Sequence, residues 1–335
     1  MTLQMEAVLA ELPDDLRPVA TRLWRRAGDV TDEVTETLMY AYKVLGEVPG
    51  RPESLEAGAG ILETGVAVEL ADVIADLESA HPDVSQSWQG GGSEAFTRYM
   101  PRLTEAVSHL HQAVLDTAAA VKAFNVSMTL LWERLLRRVD RSADEVTFAV
   151  SAAGPDRVQA AISVIGIVEE FAEYVDQLAE SLVALRADSH QAGSLLVSAA
   201  EPAPGLTATA NGLRLPSPSE DMAEEWHPTH SQVWLDTRAM ASLTAALSDS
   251  ADCWRAAADS GMTAAREHFT VSAFGLAGVD FQPRVRDMLD RDVETYRGAD
   301  RQLTELADTL RQIGRVWVSA DDAVAEELRR GLDDA

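Results

Sequence analysis

Between Phe96 and Leu135 the apolar residues fall at three- and four-residue steps almost without interruption: Phe96, Tyr99, Leu103, Val107, Leu110, Val114, Val121, Phe124, Met128, Leu131 and Leu135. That spacing marks one face of an α-helix. A stripe so long is stable in water only when other helices cover it. The same period runs on either side. Residues 1–13 read as a short helix ended by Pro13, and Leu16, Val19, Leu23, Val30, Val34, Leu38 and Leu45 predict one helix over 14–45. Leu62, Val66, Leu70, Val73 and Leu77 predict another over 54–80. His81-Pro82 is its expected stop, because a residue before proline avoids the helical well. Ser93 is the expected N-cap of the long helix, with Pro101 either kinking it or lying in its first turn.

Arg141 to Asp144 reads as a weak break and Gly154-Pro155-Asp156 as a strong one, followed by a buried helix carrying Val158, Ile162, Ile165, Val168, Phe171, Val175 and Leu178. Residues 201–232 lose all periodicity and hold five prolines, which marks a linker with a short hairpin at Asn211-Gly212. Helical spacing then returns in Leu235, Met240, Leu243, Leu247, Trp254 and Met262. A loop, VSAFGLAGVDFQ, separates this from a closing helix with Val285, Leu289, Tyr296, Leu303, Leu310 and Trp317. The expected fold is all-α: an elongated helical bundle built from antiparallel helical hairpins, with a Pro/Gly-rich linker.

Composition narrows the function classes. No run approaches the roughly 20 apolar residues of a membrane span, and MTLQMEAVLAELPDD lacks the features of a cleavable leader. The formal charge of −27 disfavours nucleic acid and anionic membrane surfaces as partners. Cys253 is the single cysteine, so no internal disulfide forms, and its neighbours Ala251, Trp254 and Ala257 suit a core position. His109 and His111 are two apart, on different faces of a helix, and His227 and His230 flank Pro228 without a third ligand, so no metal site is expected. No nucleophile elbow, Walker loop, HExxH or CxxC occurs, and Gly90-Gly91-Gly92 lacks the strand and the lysine of a phosphate cradle. No cofactor and no enzymatic activity are expected.

What stands out instead is SQSWQGGGSEAF, Ser85 to Phe96, between two amphipathic stretches. Glycine permits a tight turn there and Trp88 offers an amphipathic ring at its tip. Trp88, Gly90 two residues on and Phe96 within a helical hairpin resemble the WxG family of small hairpin proteins handled by type VII secretion systems. The last stretch, an alanine-rich helix, a Phe-Gly loop and a helix ending in VWVSADDAVAEE, resembles the EspC-like secreted hairpins of mycobacteria and their relatives. Those end in a Y-x-x-x-[D/E] export signal. Trp317 and Asp321 have its spacing with tryptophan for tyrosine, and Tyr296 with Asp300 is a literal match inside the helix.

The resemblance divides the chain into an N-terminal helical segment (1–53), a WxG-like hairpin (54–140), helices completing the bundle (141–200), the linker (201–232) and an EspC-like hairpin (233–335). It implies a non-enzymatic, secretion-associated substrate or component acting by helical protein–protein contact, secreted or cell-surface by a Sec-independent route. The implied partners are a secretion ATPase, a WxG-type helical protein or a second copy of the chain. The other reading is a cytoplasmic scaffold or chaperone that binds another protein through a helix groove. Arginine-rich, lysine-poor usage agrees with an actinobacterial source.

Overall fold

The computed structural model describes residues 2–47, 50–89, 91–199, 206–209, 212–216 and 234–333. They are almost wholly helical, the expected all-α bundle. In order they form α1 (Thr2–Glu11), α2 (Leu16–Gly28), α3 (Val34–Glu47), α4 (Pro52–Ile61), α5 (Ala67–Ser87), α6 (Gly91–Ala153), α7 (Arg157–Ala199), α8 (Thr237–Ala256), α9 (Thr263–His268), α10 (Val271–Phe274) and α11 (Gln282–Asp333). Two wide π-turns, Leu62–Val66 and Ala257–Met262, join α4 to α5 and α8 to α9. The strands are minimal. β1 (Trp88–Gln89) pairs antiparallel with β4 (Trp234–Leu235), and β2 (Thr207–Thr209) with β3 (Gly212–Arg214).

The chain groups into two compact units, one drawn from residues 1–57, 120–195 and 268–285, the other from 58–119, 196–267 and 286–335. The core of the first unit is aromatic. Phe124 of α6 packs against Phe274 and Phe281 with ring centroids 5.6 and 5.5 Å apart, and Phe274 meets Phe269 at 6.0 Å. The expected loop 271–282 is therefore a folded wedge, a short helix and a 3₁₀ turn held down by phenylalanines. Gln282 secures it by donating from Nε2 to the Phe269 carbonyl at 3.1 Å.

The single helix expected over 14–45 is two. Asp29, Thr31 and Asp32 interrupt it, and the Thr31 hydroxyl accepts from the Glu33 amide, the kind of local bond that competes with helix. Tyr42 then ties α3 back to α2 through its hydroxyl on the Ala20 carbonyl at 2.8 Å. The weak break at 141–144 is absent because the apolar stripe does not pause: Val139, Ser142, Ala143 and Val146 are all buried. Nor does His81-Pro82 end its helix, which runs on to Ser87. A proline inside a helix costs about 3 kcal/mol, set here against the packing of α5 along α8. Pro101 lies well inside α6, on an exposed position rather than in the first turn.

The second unit pairs two hairpins. α5 runs antiparallel to α8, with Val66 against Gly261 at one end and Trp88 paired to Leu235 at the other. The two π-turns face each other there, and Gly261 is obligatory: a Cβ would sit 2.5 Å from the Val66 Cγ2 atom. α11 runs antiparallel to α8, Trp254 meeting Tyr296 edge-on at 4.9 Å and Met240 lying 3.9 Å from where a Gly314 Cβ would be. α6 reaches α11 through the Thr117 hydroxyl on the Met288 sulfur at 3.3 Å. β2 and β3 bear out the hairpin expected near Asn211-Gly212, and it docks on α11: Thr295 Oγ1 accepts from the Leu213 amide and Gln302 Nε2 donates to the Leu215 carbonyl. The rest of the expected linker lies outside the described residues. By length and composition, among the described residues one helix, residues 96–153 within α6, is apolar enough to cross a membrane. The same stretch supplies buried core residues Leu110, Val114, Val121 and Phe124.

One carboxyl in this unit is out of place. Asp292 is only partly buried as a residue, yet burial pushes its carboxyl up to about 7, with Arg291 pulling the other way. One turn on, Tyr296 is fully buried and is raised well above its usual value, first by burial and then by Asp292. A raised carboxyl means that the folded chain holds this proton more tightly than the unfolded chain does. Asp292 therefore lowers stability as pH rises from about 4 to about 7. Asp292→Asn is expected to stabilise the protein by about 1–2 kcal/mol at pH 8, a full burial penalty discounted for its residual solvent contact. Urea unfolding should show a smaller gain at pH 5.5 than at pH 8.

Candidate functional site

Two of the residues singled out by sequence, Trp88 and Trp317, lie in the second unit, one between α5 and α6 and the other on α11. α5 stops at Ser87 and α6 begins at Gly91, so Trp88 sits at the tip of this helical hairpin. Its ring is partly buried, tilted against Phe96 at a centroid distance of 6.1 Å, and Phe96 in turn lies 5.8 Å from Tyr99. Ser93 is not the N-cap. The helix starts two residues earlier, and the Ser93 hydroxyl donates to the Trp88 carbonyl at 2.6 Å, fastening the tip to the first turn of α6. Gly90 lies outside the described residues.

The backbone of Trp88 pairs with that of Leu235. Immediately beyond, Asp236 caps α8, its carboxylate accepting from the Arg238 and Ala239 amides. The first turns of α8 then meet the far part of α11 across a mainly apolar groove of about 510 Å³. Thr237, Met240 and Ala241 form one wall, and Leu310, Gly314 and Val318 the other. Gly314 faces Met240, where a Cβ would lie at an ordinary contact distance of 3.9 Å, and Arg311 and Arg315 edge the groove. Trp317 stands beside it, 39% exposed, between Val316 and Val318 at 62% and 47%. Asp321 follows one turn later on α11, its side chain outside the described residues. Consecutive residues on a helix point in different directions, so of these three it is Val318 that lines the groove, while Trp317 stands exposed beside it.

The literal Tyr296/Asp300 pair is placed differently. Tyr296 is fully buried against Trp254, and Asp300 accepts a bidentate pair of bonds from Arg255. Both are consumed by the packing of α8 on α11. Sequence reasoning did not identify the groove, because its walls come from segments about 70 residues apart. The small residue Gly314 opposite Met240 was the available signal.

Among the described residues no group of three or more His, Cys, Asp and Glu is placed to hold a metal ion. An acidic seam does run between α5 and α8. Burial, then Asp249 and Asp72, raise the Asp76 carboxyl. Facing it, the Cys253 thiol is pushed up to about 12, first by burial, then by its bond to Glu69 and by Asp76 and Asp72. A thiol so high carries almost no thiolate near neutrality. Cys253 should therefore react with a disulfide reagent at pH 8 at least about 100-fold more slowly in the folded protein than in urea, measured by thiolate absorbance. No family model, no curated protein and no solved structure matches the chain.

Proposed function

We propose that this is a non-enzymatic, type VII secretion-associated protein that acts by helical protein–protein contact, exported itself or travelling with an exported partner. One observation carries the reading. The Trp88 tip and the Trp317 helix belong to one unit, joined through the pairing of Trp88 with Leu235 and the α8–α11 groove. A WxG-type tip beside an aromatic-x-x-x-acid helix is the arrangement that the sequence resemblance implies for two paired hairpins, and here one chain supplies both. The exposed Trp317, with the apolar groove that Val318 lines, gives a secretion ATPase or a WxG-type partner a surface to bind. With signal and tip in the same chain, export would proceed by a Sec-independent route to the cell surface or medium.

The groove also supports a second reading, a cytoplasmic scaffold or chaperone that holds a client helix between α8 and α11. The two differ in what Asp321 does. In an actinobacterial host, supernatant and cell fractions are compared for wild type, Trp88→Ala and Asp321→Ala, with a strain lacking the secretion ATPase as reference. The secretion reading expects both variants to fall at least about tenfold in the medium while cell-associated levels and melting temperature hold. Equal amounts of all three in the medium contradict it. Retention of all three in the cytosol, with partner capture indifferent to Asp321, favours the scaffold.

A further inference from the structure

The first unit carries a site of a different character, remote from the groove in its chemistry. A cleft of about 1000 Å³ opens there, all its lining residues within that unit. One wall is apolar: Leu131 and Trp132 of α6 with Val271, Leu276 and Val279 of the phenylalanine-anchored wedge. The three wedge residues are 61%, 42% and 39% exposed, so this apolar surface faces the cleft uncovered. The opposite rim is polar and mainly acidic, made by Glu11, Asp14 and Asp15 between α1 and α2 and by Glu53 at the start of α4.

The rim is built, not incidental. Arg17 donates from Nε to the Leu9 carbonyl at 3.2 Å and from Nη2 to the Leu12 carbonyl at 2.9 Å, capping the end of α1, and its Nη1 pairs with Asp14 at 3.0 Å. That leaves Glu11, Asp15 and Glu53 facing the cleft against the single guanidinium of Arg51. The walls are fixed to each other by backbone. The Arg51 amide donates to the Ala273 carbonyl at 2.8 Å, and Gly50 is needed there because a Cβ would meet that oxygen at 2.1 Å. Ser54 adds a bond from its hydroxyl to the His268 carbonyl at 3.0 Å.

We infer that this cleft binds an amphipathic organic cation, an alkyl or aryl amine. Its apolar body lies along Trp132, Val271 and Leu276, and its ammonium faces Asp15 and Glu53. Shape and charge each contribute to the choice. The volume matches the upper range of small-molecule sites, an indole beside carboxylates suits a cation with a carbon body, and a polyamine without such a body would leave the apolar wall wet. The site is separate from the secretion reading and stands without it.

Calorimetric titration of the full chain with decylammonium, decyl maltoside and decyl sulfate, each below its micellar concentration, tests the inference. Saturable one-site binding of decylammonium is expected, at least about tenfold tighter than the maltoside, with no binding of the sulfate. The double variant Asp15→Asn/Glu53→Gln should weaken decylammonium at least about fivefold. Both residues are exposed rim positions, so the fold stays intact, and removing two of 27 net charges barely alters the overall field. Trp132→Ala should weaken decylammonium and the maltoside alike. Equal affinity for the three headgroups, wild-type binding by the double variant, or no saturable binding of decylammonium would overturn the site.

Discussion

The antiparallel contact between α5 and α8 is the constraint on which the second unit depends. It is made close by small residues and by two facing π-turns, where Val66 fills the space that Gly261 leaves open. A π-turn inserts one extra residue into a helix and shifts the face that follows it. Two such turns opposite each other keep the helices in register on both sides. The consequence appears some 20 residues away along α5, where Trp88 meets Leu235 and the hairpin tip is tied to the start of α8. Without that register, the groove between α8 and α11 would have no fixed relation to the tip.

The charge of the chain is distributed in keeping with this packing. Most ion pairs are exposed and contribute little each, as with Arg297 and Asp259 or Arg266 and Asp290 between α11 and the α8–α9 side. In the second unit exposed Arg255 and Arg297 are raised by the carboxylates that they bind, whereas the acidic groups and the thiol that depart from ordinary values lie on or near the buried seams: Asp76 and Cys253 between α5 and α8, Asp292 and Tyr296 on α11. They mark where helices press acidic residues together, a cost offset by the apolar contact beneath.

The fold class was legible because the apolar period never changes from that of a helix, and buried residues such as Leu103, Val107, Leu110 and Val114 fall where the stripe predicts. Helix ends were less legible. The Arg141–Asp144 stretch reads as a stop in isolation, but tertiary burial of the continuing stripe outweighs local propensity, and Pro82 is likewise passed by a helix that runs on to Ser87. The break at Asp29–Glu33 was hidden for the opposite reason, since the apolar spacing carries through it while polar side chains bond to the backbone. Of the candidate site, Trp88 at a hairpin tip was readable from one tryptophan and a glycine run. The burial of Tyr296 and Asp300, the pairing of Trp88 with Leu235 and the groove itself depend on residues distant in sequence, and no local pattern encodes them.

The central claim is that the two hairpins pair within a single chain, bringing α5 of the first beside α8 of the second. Spin labels on Ser79→Cys of α5 and Ala245→Cys of α8, both exposed positions, in a Cys253→Ala background, report that distance by pulsed electron resonance. Helices packed side by side place such labels within about 20 Å. The account predicts one narrow distribution in that range, unchanged when labelled protein is diluted tenfold with unlabelled chain. A broad distribution centred beyond about 40 Å, or a short distance that vanishes on dilution, would contradict it.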